Sequence, residues 1–211
     1  MRINEIFYSI QGESSSAGYP FIFIRLTGCN LRCSYCDSAY AFYQGEEFNV
    51  EEVLERIRIL GRHPVLITGG EPLLQTQVHD LMKALLDDGY QLLLETGGSL
   101  PLTDVDPRVA KIVDIKCPSS GEADRNLWDN LSVLTSRDEI KFVIGDLDDY
   151  EYAKSVCLRY RLTEKHVVLF SPVHGVMAAR ELADWILNDR LRVRLQLQLH
   201  KYLWPEKERG Y

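Results

Sequence analysis

FIFIRLTGCNLRCSYCDS, residues 21–38, decides how this 211-residue chain is read. It opens as a short run of β-branched and aromatic residues, the composition of a strand, and a Thr-Gly step ends that run. Cys29, Cys33 and Cys36 follow with the spacing CxxxCxxC. A loop this short can turn three thiolates toward one metal centre. Structural zinc normally takes four protein ligands, as paired knuckles, and neither a second CxxC nor an HxxxH pair is present. A [4Fe–4S] cluster has four irons and usually four cysteines. Three cysteines therefore leave one iron open to another ligand. The alternatives are a zinc loop completed by a distant His or Cys, or three cysteines without a common role.

Outward from this loop, short apolar runs alternate with amphipathic stretches. INEIFYSI (3–10), PVLITGG (64–70), QLLLETGG (91–98), KIVDIKC (111–117), EIKFVIG (139–145), HVVLFSP (166–172) and RLRVRLQLQLH (190–200) read as strands. Helical periodicity covers 50–60, where Asn49 and Glu52 form a capping box and Gly61 a stop. It recurs at 78–88, more weakly at 126–134, then at 149–160 and 176–188. Strand–helix alternation predicts an α/β fold with a parallel sheet, open or curled into a partial barrel. Sites in such folds form at the C-terminal ends of strands. There stand Cys29, Gly69-Gly70-Glu71, Glu95-Thr96, Cys117-Pro118-Ser119 and Ser171-Pro172-Val173-His174, which should line one rim.

The formal net charge of −7 argues against broad nucleic-acid or anionic-membrane binding, which needs basic patches. No apolar run is long enough to span a bilayer. The N-terminal stretch has no apolar h-region, so the expected compartment is the cytoplasm. An odd count of five cysteines, three within eight residues, does not suggest a disulfide framework. In a reducing compartment clustered thiols bind metal or do redox chemistry. Cys157 falls on the apolar face of a helix with Ala153, Val156 and Tyr160 and reads as core. Cys117 reads as a semi-buried strand-end thiol.

The cysteine motif, with Tyr35 before the last cysteine and Thr68-Gly69-Gly70-Glu71-Pro72 after the next strand, resembles the radical S-adenosylmethionine (SAM) superfamily. The resemblance implies a compact, partial (β/α)6-type radical SAM barrel with reduced helices. It implies that SAM chelates the open iron through its amino and carboxylate groups, and that one-electron reduction yields a 5′-deoxyadenosyl radical. Two glycines allow close approach of backbone to a ligand, and the Glu71 carboxylate can pair with the SAM ammonium. Glu95 and Thr96 either hydrogen-bond the SAM ribose or form a solvated turn. Lys116, Cys117, Pro118, Ser119, Ser171, Pro172, Val173 and His174 are further candidates for SAM contact.

EIFYSIQGES (5–14), the cysteine stretch, ITGGEP (67–72), LETGG (94–98), DIKCPSSG (114–121), FSPVHG (170–175) and QLQLHKYLWP (196–205) together resemble the 7-carboxy-7-deazaguanine synthase family over nearly the whole chain. That likeness implies one radical SAM domain over 1–211, with an N-terminal substrate-binding strand and turn and a C-terminal strand plus tail. It implies ring contraction of 6-carboxy-5,6,7,8-tetrahydropterin to 7-carboxy-7-deazaguanine with loss of ammonia, in queuosine and related deazapurine biosynthesis. Hydrogen abstraction at C6 starts the reaction, and SAM is regenerated. Ile10, Gln11, Gly12, Glu13, Arg25, Thr68, His200 and Tyr211 become substrate candidates. Gln11 and Glu13 suit a pterin's amide and amine edges, or form a polar turn. Arg25 clamps a carboxylate or makes a rim salt bridge. His200 is a core histidine or a substrate contact, and the tail folds over the pocket or packs at a dimer interface.

The family further implies Mg²⁺ on the hydroxyl two residues after the last cysteine, a homodimer, and a flavodoxin- or ferredoxin-type reductant. Two positions depart from its pattern. Ser38 stands where threonine is usual, which keeps the ligand oxygen but loses the methyl that fixes the rotamer. Ser14 stands where glycine is common. Rival readings are a glycyl-radical-enzyme activating protein, which would act on a large protein, and a non-enzymatic iron–sulfur or zinc protein.

Overall fold

The computed structural model describes residues 1–207, 209 and 210. In chain order the elements are β1 (Arg2–Ile10), β2 (Pro20–Leu26), β3 (Glu46–Glu47), α1 (Val50–Leu60), β4 (Val65–Gly69), α2 (Val78–Asp87), β5 (Leu92–Thr96), β6 (Ala110–Ile115), β7 (Glu139–Ile144), α3 (Leu147–Tyr160), α4 (Leu162–Lys165), β8 (Val167–Pro172), α5 (Ala179–Asn188), β9 (Arg194–Leu195) and α6 (Leu199–Leu203). They build one sheet of order β3-β1-β2-β4-β5-β6-β7-β8-β9. β2, β4, β5, β6, β7 and β8 run parallel, two-residue β9 joins β8 in parallel, and β1 with β3 adds an antiparallel edge beside β2. This is the expected six-stranded partial barrel.

Parallel strands are covered on both faces, so each face must find an apolar partner or a purpose. On the outer face, Ile22, Ile24, Val65, Ile67, Leu92 and Leu94 pack under α1 and α2. Ile140, Phe142, Ile144, Val168 and Phe170 pack under α3 and α5. On the inner face Phe21, Phe23, Leu66 and Ile112 form a smaller apolar plug. Helix α1 starts where the Asn49–Glu52 capping box places it, with both reciprocal hydrogen bonds formed.

Two sequence expectations fail. Residues 126–134 hold one short 3₁₀ turn, Trp128–Ser132, instead of an α-helix. Asn126 and Asn130 spend their side-chain amides on other loops: Asn130 accepts from the Leu102 N–H and donates to the Gly98 and Leu100 carbonyls, and Asn126 holds both backbone groups of Lys116. Asparagine competes with helix in this way. The final expected strand is only two residues long. After Leu195 the Gln196 N–H still reaches the Phe170 carbonyl, but the buried Gln196 side chain donates to the Gly12 and Leu197 carbonyls. The chain then crosses to the loop after β1 and turns into α6.

Candidate active site

The C-terminal strand ends surround a cavity of about 290 Å³. Period-two alternation sets its lining. Apolar Phe23 and Leu66 lie below, and one pleat higher the same strands present Arg25 and Thr68. Glu95 on β5, Asp114 on β6, Lys141 on β7 and Ser171 on β8 continue the polar wall.

Cys29, Cys33 and Cys36 are half-buried and all line the cavity. Their loop is pinned from outside. Ser34 donates its N–H to the Ser120 carbonyl and its hydroxyl to the Ser119 carbonyl, at 3.0 and 2.7 Å. The Arg32 guanidinium donates to the Cys29 and Leu31 carbonyls and lies over the Phe42 ring. Burial pushes the Cys29 and Cys33 thiols up, so metal loading displaces protons there.

Gly69 and Gly70 also line the cavity. A Cβ on Gly70 would sit 2.3 Å from the Gly28 carbonyl oxygen and 2.6 Å from Cys29 Cβ. The glycine pair thus lets the end of β4 lie directly on the start of the cysteine loop. Glu71 is fully buried and lies behind this wall, outside the cavity lining. It accepts hydrogen bonds from the Leu73 and Gly97 N–H groups and the Thr96 hydroxyl, tying the ends of β4 and β5 together. Burial pushes its pKa up even so. Thr96 lines the cavity, but its hydroxyl is committed to Glu71.

Cys117, Pro118 and Ser119 do not line the cavity either, and Pro118 is exposed to solvent. Cys117 is fully buried in the core with Ile115 and Phe142, not semi-buried as expected, and burial pushes its thiol well up. Ser119 donates its N–H and hydroxyl to Asp149. Their turn supports the cysteine loop through the Ser119 and Ser120 carbonyls. Lys116 does line the cavity, with Nζ 3.0 Å from Asp114 Oδ2. Ser171, Pro172, Val173 and His174 line it too.

Ile10, Gln11, Gly12, Glu13, Arg25, Thr68 and His200 come together on the same cavity. Tyr211 lies outside the described residues. Ser14 adopts the left-handed conformation that glycine favours, with φ 66°, and its hydroxyl accepts from the Ser16 N–H. Arg25 Nε donates to Glu5 at 2.7 Å, and the Tyr40 hydroxyl donates to the same oxygen. The salt bridge and the cavity position coexist. His200 approaches so closely that a Cβ on Gly12 would lie 2.1 Å from its Nδ1. Burial lowers the His200 pKa. Ser38 lines the cavity, its hydroxyl 3.9 Å from Cys36 Sγ.

Lys141, Asp114 and Gln198 were not foreseen from sequence. A signal was there: a lysine or aspartate inside an apolar strand that is covered on both faces needs a reason to be there.

Residues 23–161 match the model of the Radical SAM superfamily. The 7-carboxy-7-deazaguanine synthase of Chlorobaculum tepidum is 46% identical, covering 100% of this chain and 97% of its own. That of Koribacter versatilis is 44% identical, with full coverage of both. The chain belongs to the 7-carboxy-7-deazaguanine synthase family of radical SAM enzymes. The crystal structure of QueE from Escherichia coli superposes with a TM-score of 0.78 at 25% identity, covering 94% of each chain.

The cofactors of this family are a [4Fe–4S] cluster and SAM, and the residues present fit both. Three cavity-facing thiols are the donor set of a cluster with one open iron. Beside them Asp114 Oδ1 is buried without a hydrogen-bond partner, an acceptor open to a ligand N–H or O–H. Among the described residues no helix is long and apolar enough to cross a membrane.

Proposed function

We propose that this chain converts 6-carboxy-5,6,7,8-tetrahydropterin to 7-carboxy-7-deazaguanine with loss of ammonia, in the cytoplasm, as one radical SAM domain spanning 1–211. The observation that carries this is one cavity lined both by the three cysteines and by Gln11, Glu13 and Arg25. Cluster and SAM, when bound, supply hydrogen abstraction by a 5′-deoxyadenosyl radical. Cys29, Cys33 and Cys36 hold the cluster. Gly69, Gly70, Lys116 and the 171–174 segment flank SAM, while Glu71, Cys117, Pro118 and Ser119 brace that wall from behind. Arg25 faces the substrate carboxylate, and Gln11, Glu13, Thr68 and His200 fix the ring system near the reacting centre. Ser38, whose hydroxyl is a hard oxygen donor on the cavity wall, would hold Mg²⁺.

Anaerobically reconstituted protein, given SAM, Mg²⁺, a flavodoxin- or ferredoxin-type reductant and the pterin, should release 7-carboxy-7-deazaguanine. No product from fully loaded protein would overturn the assignment. In the same assay Ser38→Ala should raise the Mg²⁺ requirement. An unchanged Mg²⁺ dependence removes Ser38 from the site.

The two-residue edge strand β9 and exposed Leu195, Leu197, Tyr202 and Leu203 support a homodimer through this edge. Sedimentation should give twice the chain mass, and Leu195→Asp should shift it to the monomer.

A further inference from the structure

The strongest unabsorbed feature is a lysine in the middle of β7. Lys141 stands in register with Asp114 on β6 and is 6% exposed. Its Nζ lies 2.8 Å from Glu13 Oε2, 2.5 Å from Glu95 Oε1 and 3.5 Å from Asp114 Oδ2. An ammonium has three donors, and three carboxylates surround this one. Two of its donors go to Glu13 and Glu95, and Asp114 stands at ion-pair distance, so its charge acts through these carboxylates.

The carboxylates are differently placed. Each gives one oxygen to Lys141. The second oxygen of Glu13 accepts from Gln198 Nε2 at 2.9 Å, and the second oxygen of Glu95 accepts from the Thr68 hydroxyl at 3.3 Å. A carboxylate oxygen has two lone pairs, so both keep capacity toward the cavity they line. Glu95 is thereby joined through Lys141 to Glu13, and directly to Thr68, two residues read above as substrate contacts. One pleat below Lys141, Glu139 accepts from the N–H and hydroxyl of Ser15. The inner face of β7 thus grips the loop after β1 at two points.

We propose that Lys141 is a positioning residue that holds Glu13 and Glu95 on one cavity wall as paired acceptors for the N–H-bearing edge of the bicyclic substrate. This rests on the pterin reading above. Without the ammonium, Glu13, Glu95 and Asp114 would lose the cation they share, and Glu13 and Glu95 would repel each other or take up protons. In the native site burial opposes the Lys141 charge, but Glu13, Glu95 and Asp114 outweigh it and raise its pKa. Burial likewise works against the Glu13 charge, and Lys141 overrides it, lowering the Glu13 pKa.

The test compares reconstituted wild type, Lys141→Gln and Lys141→Arg for iron content, SAM dissociation constant, and pterin KM and kcat. In Lys141→Gln, pterin KM should rise about tenfold or more, the scale of a lost charge-assisted hydrogen bond, with iron content and SAM affinity held within about twofold. Lys141→Arg, which keeps the charge, should recover part of that loss. An unchanged pterin KM in Lys141→Gln, or parallel losses of SAM and pterin binding, would overturn the proposal. So would failure of both variants to load iron, since Lys141 would then be a residue of the fold. Absence of pterin turnover by the wild type would instead strike the functional reading itself, and this inference with it.

Discussion

Cys33→Ala should abolish reductive SAM cleavage and leave the fold intact. The thiol is half-buried at the cavity wall and belongs to none of the apolar core clusters. Its loop is kept in place by others: Ser34 bonded to the Ser119 and Ser120 carbonyls, and Arg32 bonded to the Cys29 and Leu31 carbonyls. A substitution away from the packed core changes stability by about 0.5 kcal/mol or less. The chemistry is less forgiving. Loss of an outer partner of a metal site costs about 10–100-fold, and loss of a direct ligand from a three-cysteine set should exceed that. Iron per chain, 5′-deoxyadenosine release and thermal melting of the apo protein check the three parts of this result. Retained iron and SAM cleavage would mean that another thiol completes the set. Cys117 is placed against that role: it is fully buried, and the core closes over it. Cys117→Ala should therefore leave the cluster in place and lower stability instead.

The rim of the barrel was legible because its chemistry comes as contiguous strings. CNLRCSYC, TGGEP and SIQGES each pack several functional residues into one turn, and turn residues announce themselves. The parallel sheet was legible for a similar reason, in apolar runs separated by capped helices such as 50–60. Other features were hidden by physics that acts at a distance. Lys141 and Glu13 are 128 positions apart and meet only because β7 and the loop after β1 share one lumen. Glu71 looks like a ligand in the string TGGEP, yet its oxygens are captured by N–H groups at 73 and 97. Asn130 carries no mark in sequence of the Gly98 and Leu100 carbonyls that draw 126–134 out of helical form. The alternation LQLQL at 195–199 reads as a strand with one buried face. In the fold the buried member is Gln196, because the chain is leaving the sheet to dock on Gly12.

The opposite end of the barrel holds the largest expected effect on stability. Lys111 on β6 and Asp138 before β7 form an ion pair of 3.1 Å with side chains 4% and 0% exposed. Asp138 does more than balance charge. Its Oδ1 also accepts from the Lys111 N–H at 2.7 Å, and its Oδ2 accepts from the Thr135 N–H and hydroxyl at 2.7 and 3.1 Å. Asp138→Ala strands a buried ammonium and two N–H groups together. Breaking a buried pair from one side costs about 3–5 kcal/mol. For a chain of this size that corresponds to a fall in melting temperature of about 6–20 °C. Lys111→Met should cost less, because the Asp138 carboxylate keeps the three hydrogen bonds from N–H and hydroxyl donors, and the Met side chain fills the lysine's apolar stem. Both residues sit at the N-terminal ends of their strands, away from the cavity. SAM cleavage per folded, iron-loaded molecule should therefore match wild type in either variant. Melting curves of the two apo variants, with activity normalised to iron, check the ordering. Equal destabilisation by the two would show that charge pairing alone, and not the cap on β6 and the 135–138 turn, sets the contribution of Asp138.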